Sequence, residues 1–137
     1  MGESQNHQDL VQRTYRYLAD RYPPHDGYAI FTDAPATPRG EKPRKIGGFL
    51  PDVLAMDVPT TFYAIGEAKT AADLENVHTA AQLRAFLLHL RVRGGVLVVT
   101  VPWAVAATAR RMIAVAAEQA RATAVEVVVL HDGVAWP

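Results

Sequence analysis

The sequence predicts a single α/β domain built on a mixed β-sheet, an antiparallel hairpin followed by parallel strands, with helices on both faces. Three observations lead there. Two apolar segments, Phe49 to Met56 and Thr61 to Ala68, are separated only by Asp57-Val-Pro-Thr60, a connection too short for anything but an antiparallel hairpin. Two later apolar runs, Gly95 to Val101 and Val125 to Leu130, have the near-continuous hydrophobicity of strands covered on both faces. Before and between those runs lie stretches of helical periodicity, the alternation that produces parallel crossovers. The 137 residues, half of them apolar, suffice for one core.

Taken in order, Asn6 followed by Asp9 reads as a capping-box variant. Val11, Thr14, Tyr15, Leu18 and Tyr22 then recur at helical spacing until Pro23-Pro24, predicting a helix from about Gln8 to Arg21. Asp26-Gly27 predicts a turn and Tyr28 to Thr32 a short strand. Residues 33–46, with three prolines and a glycine, predict a flexible loop, and Arg39, Lys42, Arg44 and Lys45 outweigh Glu41 in making it cationic. Pro51 either demotes its strand to an edge or marks its start.

After the hairpin, Asp73 is placed to cap a helix whose core stripe reads Leu74, Val77, Ala81, Ala85 and Leu88. A second flank carries Glu75, His78, Gln82, Phe86 and His89, and the pattern fades at Gly94-Gly95. The run from Gly95 to Val101 belongs in the middle of the sheet. A third helix, about Trp103 to Arg121, presents Val105, Ala109, Met112, Ile113, Ala116 and Ala120 inward. Val125 to Leu130 follows as a strand, and Asp132-Gly133 turns the chain into Val134 to Trp136.

Lys+Arg and Asp+Glu both number 14, so attraction to nucleic acid has to come from a local basic patch. The absence of cysteine excludes a disulfide framework and thiolate zinc sites, and fits a reducing compartment. No apolar run approaches the ~18 residues of a membrane span, so a soluble, cytoplasmic protein is expected.

Three charged residues stand out against the apolar hairpin: Asp52, Glu67 and Lys69. Successive strand residues point to opposite faces, so Glu67 and Lys69 share one face. Charges in buried strands are costly unless paired or bound to a metal. The plainer alternative is a surface ion pair between Glu67 and Lys69 with Asp52 in a turn.

Pro51-Asp52, followed fifteen positions on by Glu67-Ala68-Lys69, resembles the signature of the PD-(D/E)xK nuclease superfamily, and the predicted element order resembles its restriction-endonuclease-like fold. The resemblance spans most of the chain and implies metal-dependent hydrolysis of DNA phosphodiesters. It implies that Asp52 and Glu67 hold Mg²⁺ or Mn²⁺, with the Ala68 carbonyl as a further ligand, and that Lys69 orients or activates the attacking water. Gln82-Leu-Arg-Ala-Phe86 looks like the Q-x-x-x-Y motif of the RecB-like branch, with Phe in place of Tyr, which adds Gln82 to the expected catalytic set. Holliday-junction-resolvase-like and VRR-type members often carry a metal-binding glutamate on the first helix; here neither Glu3 nor Asp9 is assigned that role. Thr70 is a candidate for substrate phosphate or for holding a turn. The loop residues Arg39, Lys42, Arg44 and Lys45 are candidate phosphate contacts. The competing expectation is a catalytically inactive nuclease-like module that binds nucleic acid or serves as a scaffolding subunit. No base-reading module is present, so specificity falls to loops, a second copy in a homodimer, or a partner protein.

Overall fold

A computed structural model describes residues 5–32 and 42–133, the side chain of Gln5 excepted. Of the expectations above, those for Glu3, for residues 33–41 including Arg39, and for Val134 to Trp136 lie outside these residues. The sheet runs β1 (Tyr28–Thr32), β2 (Val53–Asp57), β3 (Tyr63–Ala68), β4 (Gly95–Val101) and β5 (Glu126–His131), in that spatial order among the described residues. The pairs β1–β2 and β2–β3 are antiparallel, whereas β3–β4 and β4–β5 are parallel. The mixed α/β architecture is therefore the one the sequence implies.

The first helix, α1 (Gln5–Arg21), begins before the expected Gln8, so Asn6 lies inside it and does not cap it. Its buried face is Leu10, Val11, Thr14 and Leu18, which packs on one side of the sheet with Val53, Ala55, Ala64, Ala68, Val96 and Val98. The approach is close because Gly66 has no side chain: a Cβ there would lie 2.6 Å from Thr14 Cγ2 and 2.9 Å from Leu18 Cδ1. A buried hydrogen bond from the Thr14 hydroxyl to the Thr100 hydroxyl, 2.7 Å, fixes the same helix to β4.

The opposite face is covered by α3 (Val77–Arg93) and α4 (Ala106–Gln119). Here the expected stripe is corrected. Val77 and Leu88 are exposed, while Thr79, Gln82, Leu83, Phe86, Leu87 and Leu90 are buried. The helix also starts later than expected: Thr70 caps a separate single turn, α2 (Ala71–Leu74), through a reciprocal capping box with Asp73, and Asn76 caps α3. Breaking the chain at Glu75 and Asn76 rotates the following stripe, which moves Gln82 and Phe86 inward. On α4 the buried residues are Ala106, Ala109, Ile113, Ala116 and Ala117. Small side chains there let α4 lie close against the sheet and α3. Trp103–Val105, expected inside the helix, form a short 3-10 turn before it.

The strand β5 is an edge, paired only with β4 among the described residues. Its side chains are nonetheless divided between the two cores, Val127 and Val129 to the α3–α4 side and Val128 and Leu130 to the α1 side. This is why its sequence reads as uninterrupted apolar residues. No described helix is long and apolar enough to cross a membrane.

Candidate functional site

Alternation along β3 sends Tyr63 and Ile65 to the α3–α4 core, and places Glu67 and Lys69 on the same face at the carboxyl end of the strand. The carboxyl ends of parallel strands are where open α/β sheets place their ligand sites. Lys69 is held by its N–H donating to the Thr100 carbonyl at 3.0 Å, continuing the β3–β4 ladder. Asp52 lies one residue before β2, so Pro51 precedes the strand and is not embedded in it. Its carbonyl accepts from the Thr32 hydroxyl at 3.0 Å, so the last residue of β1 anchors it.

The register Val53 to Gly66, extended by one residue, sets Asp52 opposite Glu67. The Asp52 N–H donates to Glu67 Oε1 at 3.0 Å, and the Ala68 N–H donates to Asp52 Oδ2 at 2.8 Å. Glu67 Oε2 lies 3.0 Å from Lys69 Nζ, with the two side chains only 3% and 11% exposed. The pair is thus buried, and the surface ion pair considered above is excluded. Burial, reinforced by the nearby Asp52 carboxylate, pushes the Glu67 carboxyl up to about 8 against the opposing pull of Lys69.

This shift has a stability consequence in the metal-free protein. Between about 4.5 and about 8 the folded chain holds a proton on Glu67 that the unfolded chain releases. The stabilisation Glu67 supplies is therefore complete below the unfolded value and is lost as pH rises through the folded one. In chelator, the urea midpoint of the wild type should fall across this window relative to Glu67→Gln; parallel profiles would contradict the raised carboxyl.

A fourth residue joins the cluster. His7 Nε2 on α1 lies 3.1 Å from the Ala68 carbonyl oxygen and 3.7 Å from Asp52 Oδ2. Sequence reasoning looked for acids on this helix and passed over the histidine. The signal was available, because His7 extends the buried series Val11, Thr14 and Leu18 by one helical turn. Asp9 is exposed, and it lines a groove of about 470 Å³ with Asn6, Leu10, Gln12, Arg13, Arg16 and Asp132, none of them a member of the cluster around Glu67.

The remaining candidates are placed differently. Gln82 is 5% exposed on the inner side of α3, and its Oε1 has no hydrogen-bond partner among the described residues. Thr70 uses its hydroxyl as the acceptor for the Asp73 N–H at 3.3 Å, the turn-holding role. Arg44 is turned away from Glu67: it donates to the Tyr63 hydroxyl at 2.7 Å, at the opposite end of β3. Arg93 lies near that ring too, and His89 meets it edge-on with ring centroids 4.6 Å apart, its pKa lowered by burial and by the two arginines. Lys42 and Lys45 are exposed. His78 is exposed too, its ring 5.1 Å from Phe49.

The donor chemistry suits a hard cation. Asp52 and Glu67 stand opposite each other across neighbouring strands, the Glu67 carboxylate buried and disfavoured by the Asp52 charge, so positive charge would relieve that repulsion; among the described residues no three His, Cys, Asp or Glu side chains form a ready-made metal cluster. No family model, curated protein or solved structure matches the chain.

Proposed function

We propose that the protein is a metal-dependent nuclease of the PD-(D/E)xK type that hydrolyses DNA phosphodiester bonds. The observation that carries the reading is the buried Glu67 carboxylate, bonded to the Asp52 N–H and paired with Lys69 at 3.0 Å. Asp52, Glu67 and the Ala68 carbonyl would hold a Mg²⁺ or Mn²⁺ ion, which would supply positive charge at the scissile phosphate and make the attacking water more acidic. Asp52 and Glu67 are preorganised for this by main-chain hydrogen bonds, so little rearrangement accompanies binding. Lys69, held beside Glu67, orients the attacking water and offers its charge to the phosphate oxygens. Arg13 and Arg16, which line a groove along α1 with Asp9 and Asp132, are candidate contacts for the phosphate backbone. Lys42 and Lys45 are exposed for the same purpose, and Gln82 is retained as a contributor only if its buried Oε1 gains a partner on substrate binding.

The test is incubation of wild type and Asp52→Asn with single-stranded, duplex and branched DNA, and with RNA, in Mg²⁺ or Mn²⁺ and in chelator. Product from wild type alone, only with metal, is expected. Binding without cleavage, unaffected by Asp52→Asn, would replace this reading by that of an inactive nuclease-like binding or scaffolding module.

A further inference from the structure

We infer that Trp103 is a stacking platform for an unpaired base, and that the substrate class is therefore single-stranded DNA. The inference rests on the nuclease reading above and adds a substrate class to it. Single exposed apolar side chains are ordinary on protein surfaces; Trp103, 67% exposed, is set apart by where it stands. The parallel register of Ala68 with Thr100, carried on by one residue, puts Lys69 level with Val101, so Trp103 lies two residues beyond it at the same end of the sheet. His131, the last residue of β5, pairs with Val101 and brings Asp132 to this end too. The Trp103 N–H donates to Asp132 Oδ1 at 2.9 Å. A Cβ at Gly133 would lie 3.0 Å from Trp103 Cβ, so the bare main chain of Gly133 rests against it. Pro102 restricts the backbone on the other side. The indole is thus carried on a main chain held by β4 and by the end of β5, and little is left to order when a flat partner arrives.

Asp132 also lines the groove along α1, whose wall includes Arg13 and Arg16. Both arginines are exposed, and neither has a carboxylate within ion-pair distance among the described residues. Asp9 and Asp132 are the acids of that groove, and one Asp132 oxygen is engaged by the Trp103 N–H. Surfaces that take single strands combine cations that follow the phosphates with an aromatic ring that takes a base face. Trp103 and the two arginines, grouped around Asp132, supply that combination. A duplex keeps its base faces stacked inside, so the ring offers it little. An unpaired strand presents a face freely, whatever its sequence. The platform therefore discriminates by strandedness.

The competing account makes Trp103 an exposed side chain without a partner. Trp136→Phe leaves Trp103 as the one tryptophan of the chain, so its emission reports on its own surroundings. This protein is titrated, in chelator and in Ca²⁺, with a single-stranded oligonucleotide, the same strand lacking its bases, and the duplex. The single strand should quench the emission, and the baseless strand and the duplex should not. Labelled strands then give the affinities of wild type, Trp103→Ala and Trp103→Phe. Trp103→Ala should bind the single strand about 5- to 150-fold more weakly, the range of one base–aromatic stack. Its affinity for the baseless strand should be unchanged, Trp103→Phe should recover most of the loss, and both variants should melt with the wild type. Equal binding of the single strand by wild type and Trp103→Ala, or equal quenching by duplex or by the baseless strand, overturns the inference; the nuclease reading then stands if metal-dependent cleavage persists. Stacking without cleavage in any metal leaves the platform in place and overturns the nuclease reading. Binding of no strand, together with no cleavage, overturns both.

Discussion

Lys69→Met should lower phosphodiester hydrolysis by about 10²–10⁴-fold, the usual size of a positioned proton-transfer or water-orienting group. Methionine keeps an unbranched apolar stem of similar length where the lysine is 9% exposed, so the surrounding strands retain their packing. What is lost is the ammonium 3.0 Å from Glu67 Oε2. Without it, the metal-free Glu67 carboxyl is driven further towards its protonated form, since burial and Asp52 both act in that direction and the main opposing charge is gone. A divalent cation restores that missing charge. The variant should therefore still be stabilised by metal in thermal melts while turning over slowly in single-turnover assays. Equal product release by wild type and variant would remove Lys69 from the mechanism.

Phe86→Ala should cost about 3–5 kcal/mol of stability, read from the urea midpoint, because a fully buried aromatic leaves a cavity when truncated. Phe86 is 0% exposed, with its ring 6.4 Å from that of Phe49 in an edge-on arrangement. Val77→Ala and Leu88→Ala should stay within about 0.5 kcal/mol, since both side chains are exposed on the same helix. The contrast is diagnostic. If Val77 and Leu88 carried the larger losses, α3 would be rotated relative to the sheet, and the buried position of Gln82 would fall with it.

These two variants also mark where the sequence was and was not legible. The hairpin was readable because a four-residue connection between two apolar segments leaves one topology, and the parallel strands because valine-rich runs have few other uses. Asp52, Glu67 and Lys69 were readable because charge is expensive in such segments. The stripe on α3 was misread because helical phase depends on the starting residue. The capping box at Thr70 and Asp73 closes one turn, and Asn76 restarts the helix, so phase counted through from Asp73 lands on the wrong face. Arg44 was assigned to phosphate by charge alone; its bond to the Tyr63 hydroxyl is a long-range contact that no local pattern announces. His7 was missed for the opposite reason. Its position in the series with Val11, Thr14 and Leu18 was periodic, but only the docked helix brings it to Ala68 and Asp52.

The two hydrogen bonds that fix the carboxylates both use main-chain N–H groups, at Asp52 and at Ala68. Main-chain donors survive every substitution except proline, so these two hydrogen bonds are nearly immune to point mutation, unlike the Thr32 hydroxyl and the Lys69 ammonium. They are vulnerable instead to insertion and deletion. A slip of one residue between β2 and β3 would turn Glu67 and Lys69 together towards α1 and separate both from Asp52. The turn from Asp57 to Phe62, closed by the Asp57 carboxylate accepting from the Thr61 and Phe62 N–H groups, sets that alignment from the far end of the hairpin. Its length thus helps to bring Asp52 and Glu67 together, and the fifteen-residue interval between the two acids follows from the register of the hairpin.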